Sequence, residues 1–293
     1  MPHGTSRTIW RRTWAAMRIL RSAYRRFDRD DGTAMAGYIA YSVFLSLFPF
    51  LIFMTALAGV VIGQAEAREV LDALFALAPD HIAQTLAPVV SDVIGQSRGG
   101  VLTFSALGAI WIASNAAEAL RVAFDRAYDS EAPASFLRRR GVAILFVFIA
   151  ALIFAALGLV IIVAPLAIRL AETYLGFAAP GWVNFARYAL GLTVFTIFLL
   201  ALNRWLPSRA PKWKLLIPGA LVSTFLWIVG AAGFSVYLAY APDYTVTYGA
   251  FAGVIVTLLF FYLTGAAVIF GAEVNAALMA YRLRREQKFE EVG

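Results

Sequence analysis

Cysteine is absent from this 293-residue chain, so it forms no disulfide, offers no thiolate nucleophile and builds no sulfur-ligated metal centre. Histidine is nearly absent: His3 and His81 stand alone, and an isolated imidazole does not make a metal site. Charge is scarce too. Only 15% of residues are Asp, Glu, Lys or Arg, against about 25% in an ordinary soluble domain. A soluble globule of this length needs a polar skin that this composition cannot supply. Missing as well are HExxH, GxSxG and the phosphate-binding P-loop. The carboxylates are scattered, whereas a metal-dependent nuclease needs several converging on its ions. The reading is therefore non-enzymatic, with no catalytic residue, no metal and no cofactor.

What the chain has in abundance is apolar length. Hydrophobic residues make up 61% of it, and the mean hydropathy is +0.74. A helix crossing the ~30 Å hydrocarbon core needs about 20 mostly apolar residues. Six segments qualify: Ala36–Gly63, Val101–Phe124, Gly141–Ala164, Arg187–Leu206, Leu215–Tyr240 and Gly249–Tyr281. In lipid each must be helical, because an unpaired backbone amide finds no partner there. The expected architecture is all-α, a polytopic bundle of six transmembrane helices. Residues 1–35 form a basic cytoplasmic arm, 36–281 the membrane domain and 282–293 a basic tail.

Orientation follows from the cations. Twenty-one of the 25 Lys and Arg residues fall in the arm, in 121–140, in the 204–214 loop and in the tail. Only Arg68, Arg98, Arg169 and Arg187 fall on the other side. Positive loops stay cytoplasmic, so both termini are expected on the cytoplasmic side of the membrane.

Within the arm, Ile9, Trp10, Trp14, Met17, Leu20, Tyr24 and Phe27 recur at helical spacing. Arg7, Arg11, Arg18, Arg21, Arg25 and Arg26 fall mostly on the opposite side. This pattern predicts a helix in the cytoplasmic interface, held by anionic headgroups. It reads as a topology-setting anchor or as a lipid-sensing arm. Nucleic-acid binding is not expected, since aromatics and arginine without base-facing polar groups suit a membrane better. The 64–100 loop reads as a periplasmic helical hairpin, either a lid or a passive cap.

Polar residues at membrane depth are costly, so each asks for a role. The first span carries Tyr38, Tyr41, Ser42 and Ser46 along one side, and Pro49 removes a backbone donor. That face reads either as pathway lining or as a close-packing surface. The second span presents Ser114, Asn115, Glu118 and Arg121, with Asp125 one turn on. The sixth ends in Glu273 and Asn275. Arg121 and Glu273 are expected at similar depth and to pair; the alternative sends Glu273 to headgroup water. Pro218, Gly219, Gly249, Gly253 and Gly271 are helix-packing candidates, and a small-residue pair such as Gly249/Gly253 also allows a homo-oligomer. Tyr237, Tyr240, Asp243, Tyr244 and Tyr248 form an interfacial belt or a vestibule.

Several stretches, taken in order, resemble one family. They are Ala40-Tyr41-Ser42 through Phe48-Pro49, Trp111-Ile112-Ala113-Ser114, and Asn203-Arg204-Trp205-Leu206-Pro207. Leu216-Ile217-Pro218-Gly219-Ala220, Phe234-Ser235-Val236-Tyr237, Thr247-Tyr248-Gly249-Ala250 and Ile269-Phe270-Gly271-Ala272-Glu273-Val274-Asn275 follow. Together they are similar to the YihY/BrkB family of bacterial inner-membrane proteins, over nearly all of 36–280. Asp125 departs from the asparagine expected there. The resemblance implies six spans with both termini inside. It also brings the family's virulence association, a ribonuclease label regarded as mistaken, and a suggestion of envelope-lipid transport. The expected partners are thus membrane lipids and a lipid-like substrate. Transport predicts a continuous groove lined by Tyr41, Ser42, Ser46 and Asn115; a scaffold supporting the envelope predicts a packed bundle.

Overall fold

The computed structural model describes residues 4–61, 63, 99–130, 135–175, 182–209, 211–240 and 251–290. Among them the chain is all-helical, without strands. Seven helices are present: α1 (Gly4–Arg29), α2 (Gly32–Val61), α3 (Gly99–Ala127), α4 (Phe136–Leu175), α5 (Trp182–Trp205), α6 (Trp213–Tyr240) and α7 (Ala252–Glu290). Stretches of α2, α5, α6 and α7 are long and apolar enough to cross a membrane: Gly32–Leu51, Tyr188–Trp205, Trp213–Tyr240 and Ala252–Arg284. The apolar runs expected at Val101–Phe124 and Gly141–Ala164 lie within α3 and α4.

Each helix starts or stops where its chemistry requires. α1 ends at Arg29, and Asp31, with a φ of 54°, keeps it from running on into α2. Asp and Asn reach this left-handed region more easily than most residues. α2 therefore begins at Gly32, four residues earlier than the apolar run suggests. α3 closes on a Schellman cap: Ser130 N donates to Asp125 O at 2.8 Å and Asp129 N to Arg126 O at 3.1 Å. The left-handed residue of this cap is Asp129, with φ 48°. Glycine usually fills that position, so an aspartate there points to another use.

α7 is the hub. It packs against α6 and α2, more lightly against α3, and α1 lies along it. The other neighbours run α2–α3, α3–α4, α4–α5 and α5–α6, and the α4–α5 seam is the sparsest of these. A core layer of Phe124, Ala143, Phe146, Leu199, Leu202, Ala220, Val268 and Ala272 joins α3 to α7. The tightest approach is α6 on α7. A Cβ at Gly219 would overlap the Gly271 carbonyl and the Asn275 side chain, and one at Gly271 would overlap Ser223 and the Gly219 carbonyl. Only glycine lets the two backbones come this close.

Pro49 lies inside α2 and Pro218 inside α6. Of the expected 64–100 hairpin, Gly99 and Gly100 open α3, while 64–98 with His81, together with His3, Asp243, Tyr244, Tyr248 and Gly249, lie outside the described residues.

Candidate functional site: a buried polar layer at the basic end

α1 meets α7 through Ala23, which is fully buried against Val274 and Ala277. Phe27 adds a ring contact to Phe270 at 6.0 Å. Ile19, Ala23 and Arg26 recur at helical spacing and so face α7 together. Arg26 is thereby carried inwards. Its Nε donates to Glu273 Oε2 at 3.2 Å, and a terminal N–H group reaches the Ala127 carbonyl at 3.0 Å and Asp129 Oδ2 at 2.8 Å. The Arg26 side chain is 16% exposed and that of Glu273 0%. Arg29 also reaches Asp129, at 3.2 Å, and pairs with Asp30. The Asp30 hydrogen bonds raise the Arg29 guanidinium above its ordinary range, so it stays charged. Here the aspartate in the α3 cap finds its use: its carboxylate ties the cap to α1.

The expected Arg121–Glu273 pair does not form. Arg121 is held by its own helix, donating to Glu118 at 2.9 and 2.7 Å and to Asp125. Carboxylates three residues before and four after it sit on the same face, so α3 supplies both partners locally. Glu273 does not reach headgroup water either, being fully buried with Arg26 as its cation. Asp125 also accepts from Ser208 N at 2.6 Å and Ser208 Oγ at 2.9 Å, which pins the α5–α6 loop to α3. The position where the sequence departs from the family pattern is thus a structural clamp.

Beneath the ion pairs runs a neutral relay. Tyr128 Oη donates to Asn203 Oδ1 at 2.6 Å, and Asn275 Nδ2 lies 3.3 Å from Tyr128 Oη. Asn203 donates back to Leu199 O at 2.9 Å. Burial raises the Tyr128 phenol above its ordinary range, so it remains a donor. Asn275 Oδ1 accepts the Gly219 N–H at 2.7 Å. One relay therefore links the end of α3 with α5, α6 and α7.

The residues of the first span part company. Ser42 and Ser46 are buried, and Ser46 Oγ donates to the Ile112 carbonyl of α3 at 3.1 Å. Tyr41 is 58% exposed. Asn115 is exposed and accepts from Arg140 at 3.0 Å, while Arg140 also bonds the Trp111 carbonyl and stacks on its ring at 3.8 Å. Ser114 is buried and bonds back to Trp111 O at 2.7 Å. Neither of the two best-formed clefts among the described residues is lined by Tyr41, Ser42, Ser46 or Asn115. Tyr237 is half-exposed on α6, 6.4 Å from Phe234. Arg204 lies over the Trp213 ring at 5.8 Å. Gly253 lends its carbonyl to Thr257 at 2.7 Å.

Sequence reasoning misses Arg26 as a site residue, along with Tyr128, Asp129, Arg140 and Ser208. For Arg26 a signal existed, since it shares the helical face of Ile19 and Ala23.

Long apolar helices bound at one end by buried ion pairs and amide–hydroxyl relays define a multi-pass helical membrane protein. Residues 23–292 match the profile of the family described as Virulence factor BrkB, and the chain belongs to that family. A ribonuclease-like protein of Bacillus subtilis, YfkH, is 30% identical, covering 89% of this chain and 95% of its own. The membrane protein PSHAa0171 of Pseudoalteromonas translucida is 24% identical, over 85% of this chain and 82% of its own. RC1_0578 of Rhodospirillum centenum, also named a membrane protein, is 27% identical over 91% of this chain, which spans 59% of that relative's length. No solved structure matches.

Proposed function

We propose that this protein carries a lipid or lipid-linked envelope precursor across the bacterial inner membrane. Six helices, α2 to α7, span the bilayer with both termini in the cytoplasm, and the described conformation is closed at the cytoplasmic end. One observation on α7 carries the reading. Every residue of 271–277 is buried, whereas every residue of 253–264 is partly exposed. A helix on the rim of a closed bundle shows one exposed face and one buried face. Partial exposure all round marks 253–264 as less enclosed than the basic-end stretch 271–277. The Arg26–Glu273–Asp129 cluster and the Tyr128–Asn203–Asn275 relay supply the seal. α1 lies at the cytoplasmic surface, where Trp14, Met17, Leu20 and Tyr24 make an exposed ridge beside Arg18, Arg21 and Arg25. This ridge suits contact with anionic headgroups. No step of the reading requires covalent chemistry.

Lipid movement between leaflets of reconstituted vesicles tests it. Labelled phospholipid should become accessible to an impermeant quencher faster in protein-containing vesicles than in empty ones, and Glu273→Ala should change that rate. Equal rates in both kinds of vesicle refute transport. A non-catalytic scaffold supporting the envelope is then the better reading, and one observation favours it: the two best-formed clefts among the described residues leave out Tyr41, Ser42, Ser46 and Asn115.

A further inference from the structure

The cytoplasmic end holds more arginine than its ion pairs use. α4 opens with Arg138, Arg139 and Arg140 in its first turns, and no acid stands in the first turn. Although its Nε–H is shielded and lacks an acceptor, Arg140 is held through its terminal N–H groups and its stacking by Asn115 and Trp111. Arg139 is not: its nearest carboxylate is Glu118 at 3.8 Å, and Arg121 already holds both oxygens of Glu118. On α5, next in the chain to Trp205, which shares a cleft with Arg139, Arg204 is set over Trp213 at the start of α6. The Nε–H groups of Arg139 and Arg204 are both shielded from water and lack an acceptor. A shielded donor without an acceptor is costly, and a cationic one more so.

Aromatic and apolar surroundings set the kind of anion. Arg138, Arg139 and Trp205 line one cleft with Ser208. Trp205 meets Trp213 edge-on at 5.3 Å, and both rings are about half-exposed. Paired, half-exposed tryptophans suit the headgroup level of a membrane. Below Arg138, Leu145 and Leu152 follow at seven-residue intervals, hence on nearly the same face of α4, and both are exposed. An arginine pair at the head of an exposed apolar stripe fits a molecule with a phosphate and an acyl chain. Free phosphate has no use for the stripe. A divalent cation is excluded by the charge.

We propose that the α4–α5 seam is a binding site for one anionic phospholipid. Its phosphate sits between Arg139 and Arg204, Trp205 and Trp213 flank the headgroup, and an acyl chain lies along Leu145 and Leu152. The site rests on these helices spanning the bilayer and not on transport. Bound lipid is measured on protein that need not move it, so a failed transport assay leaves the site standing.

The test is retention of lipid by the full-length protein in nanodiscs of equal phosphatidylglycerol and phosphatidylcholine, read by native mass spectrometry. The wild type should retain phosphatidylglycerol preferentially. The double variant R139Q/R204Q should lose that preference by about fivefold per arginine removed. If the double variant fails to fold, R204Q alone leaves the Glu118 contact in place and should show the single-arginine loss. An unselective wild type, or unchanged selectivity in R139Q/R204Q or in R204Q, overturns the site. Displacement of the lipid by inorganic phosphate at equal concentration would reassign it to a free anion.

Discussion

At the scale of single residues, the decisive fact is that Glu273 is fully buried and its cation comes from a helix outside the bundle. Removing one partner of a buried pair costs about 3–5 kcal/mol, because the other charge is left unsolvated. Arg26→Ala should therefore lower the unfolding midpoint in detergent markedly, and adding Glu273→Gln should restore most of the loss. Two destabilisations that simply add would show that the pair is not coupled. Tyr128→Phe is a milder test. It removes the hydroxyl between Asn203 and Asn275 and should cost about 1–3 kcal/mol in the same melt, since buried amide groups lose a partner. Sequence made the membership of this layer legible, because Asn203, Glu273 and Asn275 are polar residues in apolar runs. The pairing was not legible. Depth along a helix can be counted from the chain, but azimuth and the arrival of a third helix cannot. Arg121 and Glu273 are close in depth, yet Arg121 is satisfied by Glu118 and Asp125 before any other helix competes.

Among the elements, α6 and α7 touch through glycine, and this contact separates two kinds of glycine cleanly. A Cβ at Gly271 meets the Gly219 carbonyl and Ser223, whereas a Cβ at Gly233 meets nothing within 4 Å. Gly271→Ala should thus push the helices apart at a cost of about 1–3 kcal/mol. Gly233→Ala should raise stability by up to ~1 kcal/mol, since alanine is the better helix former. Thermal melts of the two variants in one detergent check the opposed signs; a neutral Gly271→Ala would mean that the contact is loose. The helices themselves were legible from apolar run length. Gly219 and Gly271 stood out as small residues, but run length says nothing about which glycine faces a neighbour. The first helix was legible as amphipathic, though only part of its character was. Arg26 counts with the polar side when the arginines are taken together, yet it shares a face with Ile19 and Ala23, and that face is the one covered by α7. The chain also turns into α2 at Asp31, a break that apolar counting cannot see because it depends on backbone conformation.

For the molecule as a whole, one asymmetry organises everything else: the end that carries the arginine is the end where the described polar side chains are buried and paired. Two ion networks among the described residues, Arg26 with Glu273 and Asp129, and Arg121 with Asp125 and, through it, Ser208, lie beside the loops richest in cations. Lysine and arginine in short loops resist translocation, so this end is expected in the cytoplasm, together with both termini. The absence of cysteine makes the expectation simple to check, because each introduced thiol reports alone. Ser22→Cys on the exposed side of α1 and Gln287→Cys near the end of α7 should react with a membrane-impermeant maleimide only after cells are opened. Thr85→Cys should react in intact cells whose outer barrier has been made permeable. Labelling of position 22 or 287 from outside would reverse the bundle. The buried charge layer would then face the periplasm, and both the cytoplasmic seal and the lipid site at α4 and α5 would have to be reassigned to the outer leaflet.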